Sequence, residues 1–234
     1  RVHMGIDIRT PGVTGIPCRA IGDGYISRIK VRAAGYGRAV YLQMKDGRTA
    51  VYAHLQSFIP EIEDMLWERQ WAEKSFDQDF FLTSSEFPVK QGEIIAYTGR
   101  SGTIHPHLHF EIRNGNWSLN PLGTNFKVAD NTTPTVTGLA IIPLGRETEI
   151  DGDIKPQILP LEYSSGGYRL TRTPEVYGIA GLAVKAYDKT DGAPNYISPY
   201  RMTLTMDEDL KFIAQADSCD YYNNLLMSLD RDPY

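Results

Sequence analysis

The stretch His107-Leu108-His109-Phe110-Glu111-Ile112-Arg113 is the part of the sequence that indicates its fold most clearly. Polar and apolar residues alternate along it, as they do in a half-buried β-strand whose successive side chains point to opposite faces. We therefore expect His107, His109 and Glu111 on one face and Leu108, Phe110 and Ile112 on the other, which is the core face. Two imidazoles on one face of a strand can present nitrogen atoms to one metal ion or one substrate.

The sequence before this stretch consists of short alternating segments separated by glycines. Asp46-Gly47 lies between two of these segments, and this dipeptide is a strong signal for a hairpin turn. The pattern predicts an all-β domain with antiparallel strands. The predicted strands are Ile16–Ala20, Tyr25–Val31, Arg38–Met44, Thr49–Leu55, Val89–Thr98 and Leu108–Arg113.

Residues 59–76 interrupt this pattern, because they are rich in Glu, Met, Leu and Trp and contain no glycine. Ile62 and Leu66 share one helical face, and Trp67 and Trp71 form an i,i+4 pair. These features predict an amphipathic helical insertion between two strands. The helix either packs on the flank of the sheet or forms a wall of a substrate groove or a partner surface.

The chain of 234 residues is long enough for two domains. We predict a first domain over residues 1–126 and a polar linker over residues 127–136. In residues 137–234, strand-like runs are punctuated by Gly and Pro at the spacing of a sandwich, which predicts an incomplete Ig-like β-sandwich as an accessory domain. Because the chain begins with no signal-peptide pattern, we also expect an upstream part to be absent.

Composition excludes several classes of protein. Lys and Arg number 24 and Asp and Glu 29, so the net charge of −5 argues against nucleic acid as a partner. Two cysteines exclude a disulfide scaffold and a cysteine-based zinc finger. No apolar run approaches the ~20 residues that cross a bilayer, so no membrane span is expected. All five histidines precede residue 110, which confines imidazole chemistry to the first half of the chain.

Two further sequence features contain residues that bind metals or catalyse reactions. His3 and Asp7 lie four residues apart around Gly5, and both side chains are ligands that zinc accepts. His54 lies in Tyr-Ala-His-Leu, on a segment with an alternating pattern. Taken alone, each feature is weak, and an isolated histidine like His54 is more often an ordinary half-buried side chain.

The order of these features along the chain is more specific than any one of them. His-x-Gly-x-Asp, Tyr-Ala-His-Leu and His-Leu-His-Phe-Glu follow one another, with glycine-rich strands between them. In this the sequence resembles the lysostaphin/LytM-type zinc metallopeptidases, which hydrolyse peptidoglycan peptides. The resemblance runs from His3 to about Leu122 and includes Gly92–Gly99, which is similar to the segment that precedes the final His-x-His in that family.

The resemblance implies roles for five residues. The zinc ligands of the family match His3, Asp7 and His109, and its two catalytic histidines match His54 and His107. Two histidines, one aspartate and a water give zinc a four-coordinate site with one exchangeable position. Such a zinc lowers the pKa of its water to about 7 and polarises a carbonyl group. Of the two remaining imidazoles, either one can accept the proton of the water while the other stabilises the oxyanion or protonates the leaving amine.

Three residues near these positions have open interpretations. His105 stands where the family has a small residue, and we interpret it as a solvated loop histidine; the alternatives are a rim position, a substrate contact or a group that supports a metal ligand. Glu111 lies two residues beyond His109, about 7 Å along the strand, so we expect it outside the metal's own ligands. Tyr36 either lines the groove or packs against the sheet.

The predicted function is that of a zinc-dependent endopeptidase that hydrolyses peptide cross-links or stem peptides of bacterial peptidoglycan outside the cytoplasm, in the periplasm, at the outer membrane or after secretion. The alternative is a non-catalytic LytM-type regulator that binds and activates a cell-wall amidase. A third reading is a binding protein in which the second domain contacts an envelope protein or a glycan. On the first reading, residues from about Thr135 onward are dispensable for the chemical step and serve targeting.

Overall fold

The computed structural model describes residues 3–124, 126 and 128–224. Lys127, where the predicted linker begins, and residues 225–234 of the predicted second domain lie outside this range. The chain forms two compact units, of which the first comprises the described residues up to Phe126 together with residues 217–224, and the second comprises residues 128–216. Both units are built mainly of antiparallel strands, which confirms the predicted all-β class. No helix in the described ranges has the length and apolar character of a membrane span.

The described part of the first unit contains two sheets, one α-helix and a short 3₁₀ helix (Pro121–Gly123). Its strands up to residue 119 are β1 (Ile6–Arg9), β2 (Pro17–Arg19), β3 (Gly24–Val31), β4 (Arg38–Met44), β5 (Thr49–Ala53), β6 (Leu55–Phe58), β7 (Gln78–Phe81), β8 (Pro88–Val89), β9 (Ile94–Thr98), β10 (His107–Asn114) and β11 (Trp117–Leu119). The larger sheet runs β11-β10-β5-β4-β3-β7, with β1 on β10 and β8 on β3. The smaller sheet runs β2-β9-β6.

The core of the first unit is formed by the apolar faces of both sheets. Leu108, Phe110 and Ile112 of β10 are buried in it, on the face predicted from the alternation. Helix α1 (Pro60–Glu73) follows β6 and adds Ile62 and Leu66 to the same core. This confirms the predicted helical insertion, whose proline lies in the first turn, where its missing N–H costs nothing.

The predicted strand Thr49–Leu55 is wrong at one residue, because the structure breaks it at His54. His54 has a φ of 59°, in the left-handed region that residues other than glycine seldom adopt. Its backbone N–H donates to the carbonyl oxygen of Tyr36 at 2.9 Å. The chain therefore turns out of β5 at His54 and enters the smaller sheet as β6.

The second unit consists of small separate sheets. Its strands are β12 (Thr135–Pro143), β13 (Glu149–Ile150), β14 (Gln157–Leu159), β15 (Leu161–Ser164), β16 (Gly167–Leu170), β17 (Val176–Tyr177), β18 (Ala180–Tyr187), β19 (Arg201–Met206) and β20 (Asp209–Gln215). A three-stranded sheet runs β14-β12-β18, and β13-β17, β15-β16 and β19-β20 form two-stranded ribbons. Since β12 begins at Thr135, the last two residues of the predicted linker belong to a strand. The Ig-like sandwich stays a prediction.

The chain returns to the first unit after the second. Strand β21 (Ser218–Asp220) pairs antiparallel with β11, with Cys219 opposite Ser118. The backbone N–H of Tyr221 then donates to the carbonyl oxygen of Asn116 at 2.8 Å. The sequence prediction assigned these residues to the second domain, and the structure corrects it. Pairing with β21 satisfies backbone groups of β11 that an edge strand would leave unpaired.

Candidate metal centre

His3, Asp7 and His109 converge at one point of the larger sheet. Strand β1 pairs with β10 so that Asp7 lies directly opposite His109, and His3 precedes β1. Nδ1 of His109 lies 3.0 Å from Nε2 of His3 and 3.1 Å from Oδ1 of Asp7. Nε2 of His3 is also 3.1 Å from Oδ1 of Asp7. His109 is buried whereas the other two side chains are exposed, so the cluster opens to solvent on one side.

This donor set fits a zinc ion. Two imidazole nitrogens and one carboxylate oxygen are donor types that zinc accepts, and three protein ligands leave the fourth position of a tetrahedral site open. Ligand atoms at about 2.0 to 2.1 Å from a tetrahedral zinc lie roughly 3.3 Å from one another. The observed separations of 3.0 to 3.1 Å are close to that spacing.

Glu111 supports His109 from the opposite side of the ring. Its side chain is fully buried, and Oε1 lies 2.8 Å from Nε2 of His109. Oε2 accepts a hydrogen bond from Nε of Arg113 at 2.6 Å, and the hydroxyl of Tyr36 donates to Oε1. With Nε2–H held by the carboxylate, the Nδ1 lone pair of a neutral His109 faces the cluster. A carboxylate behind a ligating histidine fixes its tautomer and orientation in this way.

The charges of the cluster shift the pKa values of its members. Burial alone would raise the pKa of Asp7, but hydrogen bonds with His109 and His3 lower it far below its usual range. Burial lowers the pKa of His109, and the hydrogen bonds with Asp7 and Glu111 outweigh this and raise it to about 9. A cation at Nδ1 of His109 has to replace the proton held there, so metal binding at this site releases a proton.

His54 and His107 stand next to the cluster. Their ring centroids are 4.7 Å apart, and the ring of His54 is 5.8 Å from that of His109. Nδ1 of His54 donates to the carbonyl oxygen of Ser101 at 2.8 Å, and Nδ1 of His107 donates to that of His105 at 2.8 Å. Each neutral ring therefore carries its lone pair on Nε2. Burial lowers the pKa of His54, which favours its neutral form.

The structure thus brings together all five residues that the resemblance singled out, and it shows what two of their neighbours contact. His105 is exposed, as expected of a loop histidine, and it holds His107 through its backbone. Tyr36 packs against the sheet, because its ring stacks on that of His109 at 5.3 Å and its hydroxyl donates to Glu111.

Sequence reasoning missed the outer part of this network. The guanidinium of Arg113 lies 4.4 Å from the ring centroid of Tyr221. Tyr221 follows β21, so a residue from beyond the second unit packs on the arginine that holds Glu111. The sequence near Arg113 contains no signal for this contact, because it depends on where the chain returns.

Comparison with curated proteins gives relatives of the first half of the chain. It is 33% identical over 123 residues to the DD-carboxypeptidase/endopeptidase Mpg of Neisseria meningitidis, which covers 52% of this chain and 22% of that protein. It is 30% identical over 120 residues to the murein hydrolase activator NlpD of Escherichia coli, which covers 51% and 25%. The alignments thus span about a quarter or less of the length of these relatives. Because of this similarity we refer to the first unit as the LytM-type domain.

Comparison with solved structures gives matches of low overall similarity to about half of the chain. A mutant catalytic domain of the prophage-encoded protein EnpA from Enterococcus faecalis is 24% identical, covers 54% of this chain and 81% of its own, and has a TM-score of 0.38. The catalytic domain of lysostaphin from Staphylococcus simulans is 25% identical, covers 52% and 77%, and has a TM-score of 0.36. No family model matches the chain.

Proposed function

We propose that this chain is a zinc-dependent endopeptidase that hydrolyses peptide cross-links or stem peptides of bacterial peptidoglycan. The observation that carries the proposal is the convergence of His3, Asp7 and His109, with His54 and His107 beside them. The similarity to Mpg, whose name states carboxypeptidase and endopeptidase activity, supports the same class of reaction.

The proposed chemistry divides among these residues. Zinc held by His3, Asp7 and His109 would polarise the scissile carbonyl and lower the pKa of a water molecule. In the neutral form of either ring the lone pair lies on Nε2, because Nδ1–H donates to a backbone carbonyl, so either ring could accept the proton of the attacking water. The other ring, once protonated, can stabilise the oxyanion or give its proton to the leaving amine. The Glu111 carboxylate keeps His109 oriented throughout.

The alternative is a non-catalytic activator of a murein hydrolase, and the similarity to NlpD favours it. The complete set of five side chains supports catalysis instead, since an activator has no need of them. Digestion of purified peptidoglycan by the zinc-loaded chain, followed by mass spectrometry of the released peptides, distinguishes the two. We expect cleaved cross-links or stem peptides from the native chain and none from His107→Ala. Stimulation of a separate amidase, with no products from the chain alone, would support the activator.

We further propose that the protein works in the bacterial cell envelope, where peptidoglycan is its substrate. The second unit, which carries no histidine, would serve targeting or bind an envelope protein. Similarity over 111 residues, at 28% identity, to the lipoprotein NlpD of Yersinia enterocolitica supports this location. Fractionation of cells expressing the full-length protein tests it, and recovery in the cytosolic fraction would contradict it.

A further inference from the structure

A groove of about 270 Å³ lies beside His54 in the LytM-type domain. Its lining includes two arginines, Arg38 and Arg100. Three neutral side chains that can donate hydrogen bonds also line it, and these are Thr14, Gln56 and Ser101. The lining contains no carboxylate. Ser101 joins the groove to the metal centre, because its carbonyl oxygen accepts the hydrogen bond from Nδ1 of His54. Ser101 therefore both lines the groove and contacts one of the two histidines beside the metal centre.

Arg100 brings an unneutralised positive charge to this groove. Its side chain is exposed, and no acidic group forms an ion pair with it within residues 3–124, 126 and 128–224. Arg28 and Arg48 of the same unit are, by contrast, paired with aspartates. Arg100 also adjoins Ser101 in sequence, so its backbone position is tied to that of His54.

Arg38 lies in the groove because the helical insertion holds it there. Its guanidinium donates to Oε1 of Glu63 on α1 and lies 4.7 Å from the ring centroid of Phe58. Its backbone N–H donates to Oγ of Ser101 at 2.8 Å. Nε of Arg38 is buried and has no acceptor among the described residues. That N–H is therefore closed to a substrate, and the guanidinium can reach the groove only through its terminal nitrogens, one of which is held by Glu63.

We propose that this groove is a subsite for a free carboxylate of the peptide substrate, with Arg100 as the main contact and Arg38 as the second. The proposal rests on the proposed function and specifies which peptides the enzyme would prefer as substrates. A planar guanidinium binds a carboxylate through two parallel hydrogen bonds, which suits a group on a peptide near the scissile bond. A neutral bridge of glycines offers no such group, and a glycan without charge would gain little from two arginines. The preferred substrates are therefore peptides with a free carboxylate next to the cleaved bond.

The test uses the zinc-loaded full-length chain and two soluble cross-linked peptides that differ only in a C-terminal carboxylate or amide. Arg100→Gln removes the charge of an exposed side chain, so the fold is retained, and Lys45→Gln removes one charge from the exposed β4–β5 turn as the matched control. We expect Arg100→Gln to raise KM for the acid peptide about tenfold, the loss typical of a charge-assisted hydrogen bond, with kcat and the KM for the amide nearly unchanged. Lys45→Gln should change neither.

Equal KM values for the acid and amide peptides in the native chain would overturn the subsite, as would an equal effect of Arg100→Gln on both. If the native chain cleaves neither peptide, the proposed function fails, and calorimetry with the short product peptides then tests the subsite alone. Tighter binding of the acid form, lost in Arg100→Gln but not in Lys45→Gln, would still support the carboxylate site. Equal binding of the two forms would contradict it.

Discussion

Oε1 of Glu111 lies 2.8 Å from Nε2 of His109, on the side of the imidazole ring opposite to Asp7 and His3. A fully buried carboxylate thus holds one nitrogen of the ring while the other faces the candidate metal centre. Burial raises the pKa of Glu111, but the hydrogen bond with His109 and the charge of Arg113 outweigh it and lower that pKa. Glu111 is therefore ionised, and its charge makes His109 a stronger ligand.

Replacing this carboxylate should weaken metal binding. We expect Glu111→Gln to lower zinc affinity about 10- to 100-fold, because loss of such a supporting group costs that much in other metal sites. Competition with a chromophoric chelator measures the affinity. Glu61→Gln, on the exposed side of α1, is the control and should bind as the native chain does. Cobalt spectra of both variants would show whether the ligand geometry changes. Native affinity in a folded Glu111→Gln protein would contradict the role of Glu111.

The zinc content of the protein should depend on His3, Asp7 and His109. We expect about one equivalent of zinc per chain, bound by the three converging side chains, as a site with three protein ligands requires. His109→Ala should lose most of this zinc. His105→Ala removes an exposed imidazole of the loop before β10 and should keep the zinc. Elemental analysis of the purified variants gives the answer. Full zinc content in His109→Ala would show that the ion is held elsewhere.

Replacing His54 or His107 should slow hydrolysis without removing the metal. We expect His54→Ala and His107→Ala to keep near-native zinc content while peptide hydrolysis slows about 10²- to 10⁴-fold, the usual worth of a general acid or base. Rates on a soluble cross-linked peptide and zinc content are measured on the same preparations, with His105→Ala as the reference. A variant that loses its zinc would mean that the residue is a ligand.

The contact between Arg113 and Tyr221 should contribute to stability. Their cation–π interaction is expected to stabilise the first unit by about 1 kcal/mol, since both groups are partly shielded from water. Tyr221→Ala should therefore lower the Tm by roughly 2 to 4 °C for a chain of this length. Tyr222→Ala removes a neighbouring ring that is 73% exposed and should have a smaller effect. Equal changes in Tm for the two variants would exclude a specific role for Tyr221.

The ion pair between Arg28 and Asp79 should make stability depend on pH. Nε of Arg28 lies 2.6 Å from Oδ1 of Asp79, and this hydrogen bond lowers the pKa of the carboxyl. A carboxyl with a lowered pKa stabilises the folded state above its unfolded pKa of about 3.9, and the contribution disappears as the pH falls through the folded value. The difference in unfolding free energy between the native chain and Asp79→Asn should be constant above about pH 5 and shrink below pH 4. Urea unfolding from pH 2.5 to 7 measures it, and a difference independent of pH would refute the role of the pair.

Local patterns predicted much of the first unit, because the spacing of apolar residues indicates which face of a strand or helix is buried. The alternation from Leu108 to Ile112 identified the core face of β10, and the helical face of Ile62 and Leu66 identified α1. The spacing did not predict the conformation of His54. The alternation continues through it, whereas its left-handed φ is imposed by a hydrogen bond to Tyr36, which is distant in sequence.

The candidate site also has residues that the sequence predicted and residues that it did not. Its five central residues were predicted from a resemblance in motif order, and the position of Glu111 outside the ligands followed from strand spacing. Arg38 and Arg100 could not be assigned to one groove, since Arg38 begins β4 whereas Arg100 follows β9, and Arg38 is joined to the neighbour of Arg100 by its hydrogen bond with Ser101. Tyr221 could not be assigned to the site either, because its position depends on the pairing of β21 with β11.

The return of the chain to β11 also makes the second unit an insertion within the first rather than an appendage. A chain ending near residue 126 would lack a strand of the larger sheet, so it is not a clean test of an independent catalytic domain. Asn224 donates from Nδ2 to Sδ of Met4, which places residues from the two sides of the insertion next to each other. A tensile load applied between Met4 and Asn224 would therefore pass through the LytM-type domain alone and bypass the second unit. A protease that cut within residues 128–216 would leave two fragments held together by the sheet.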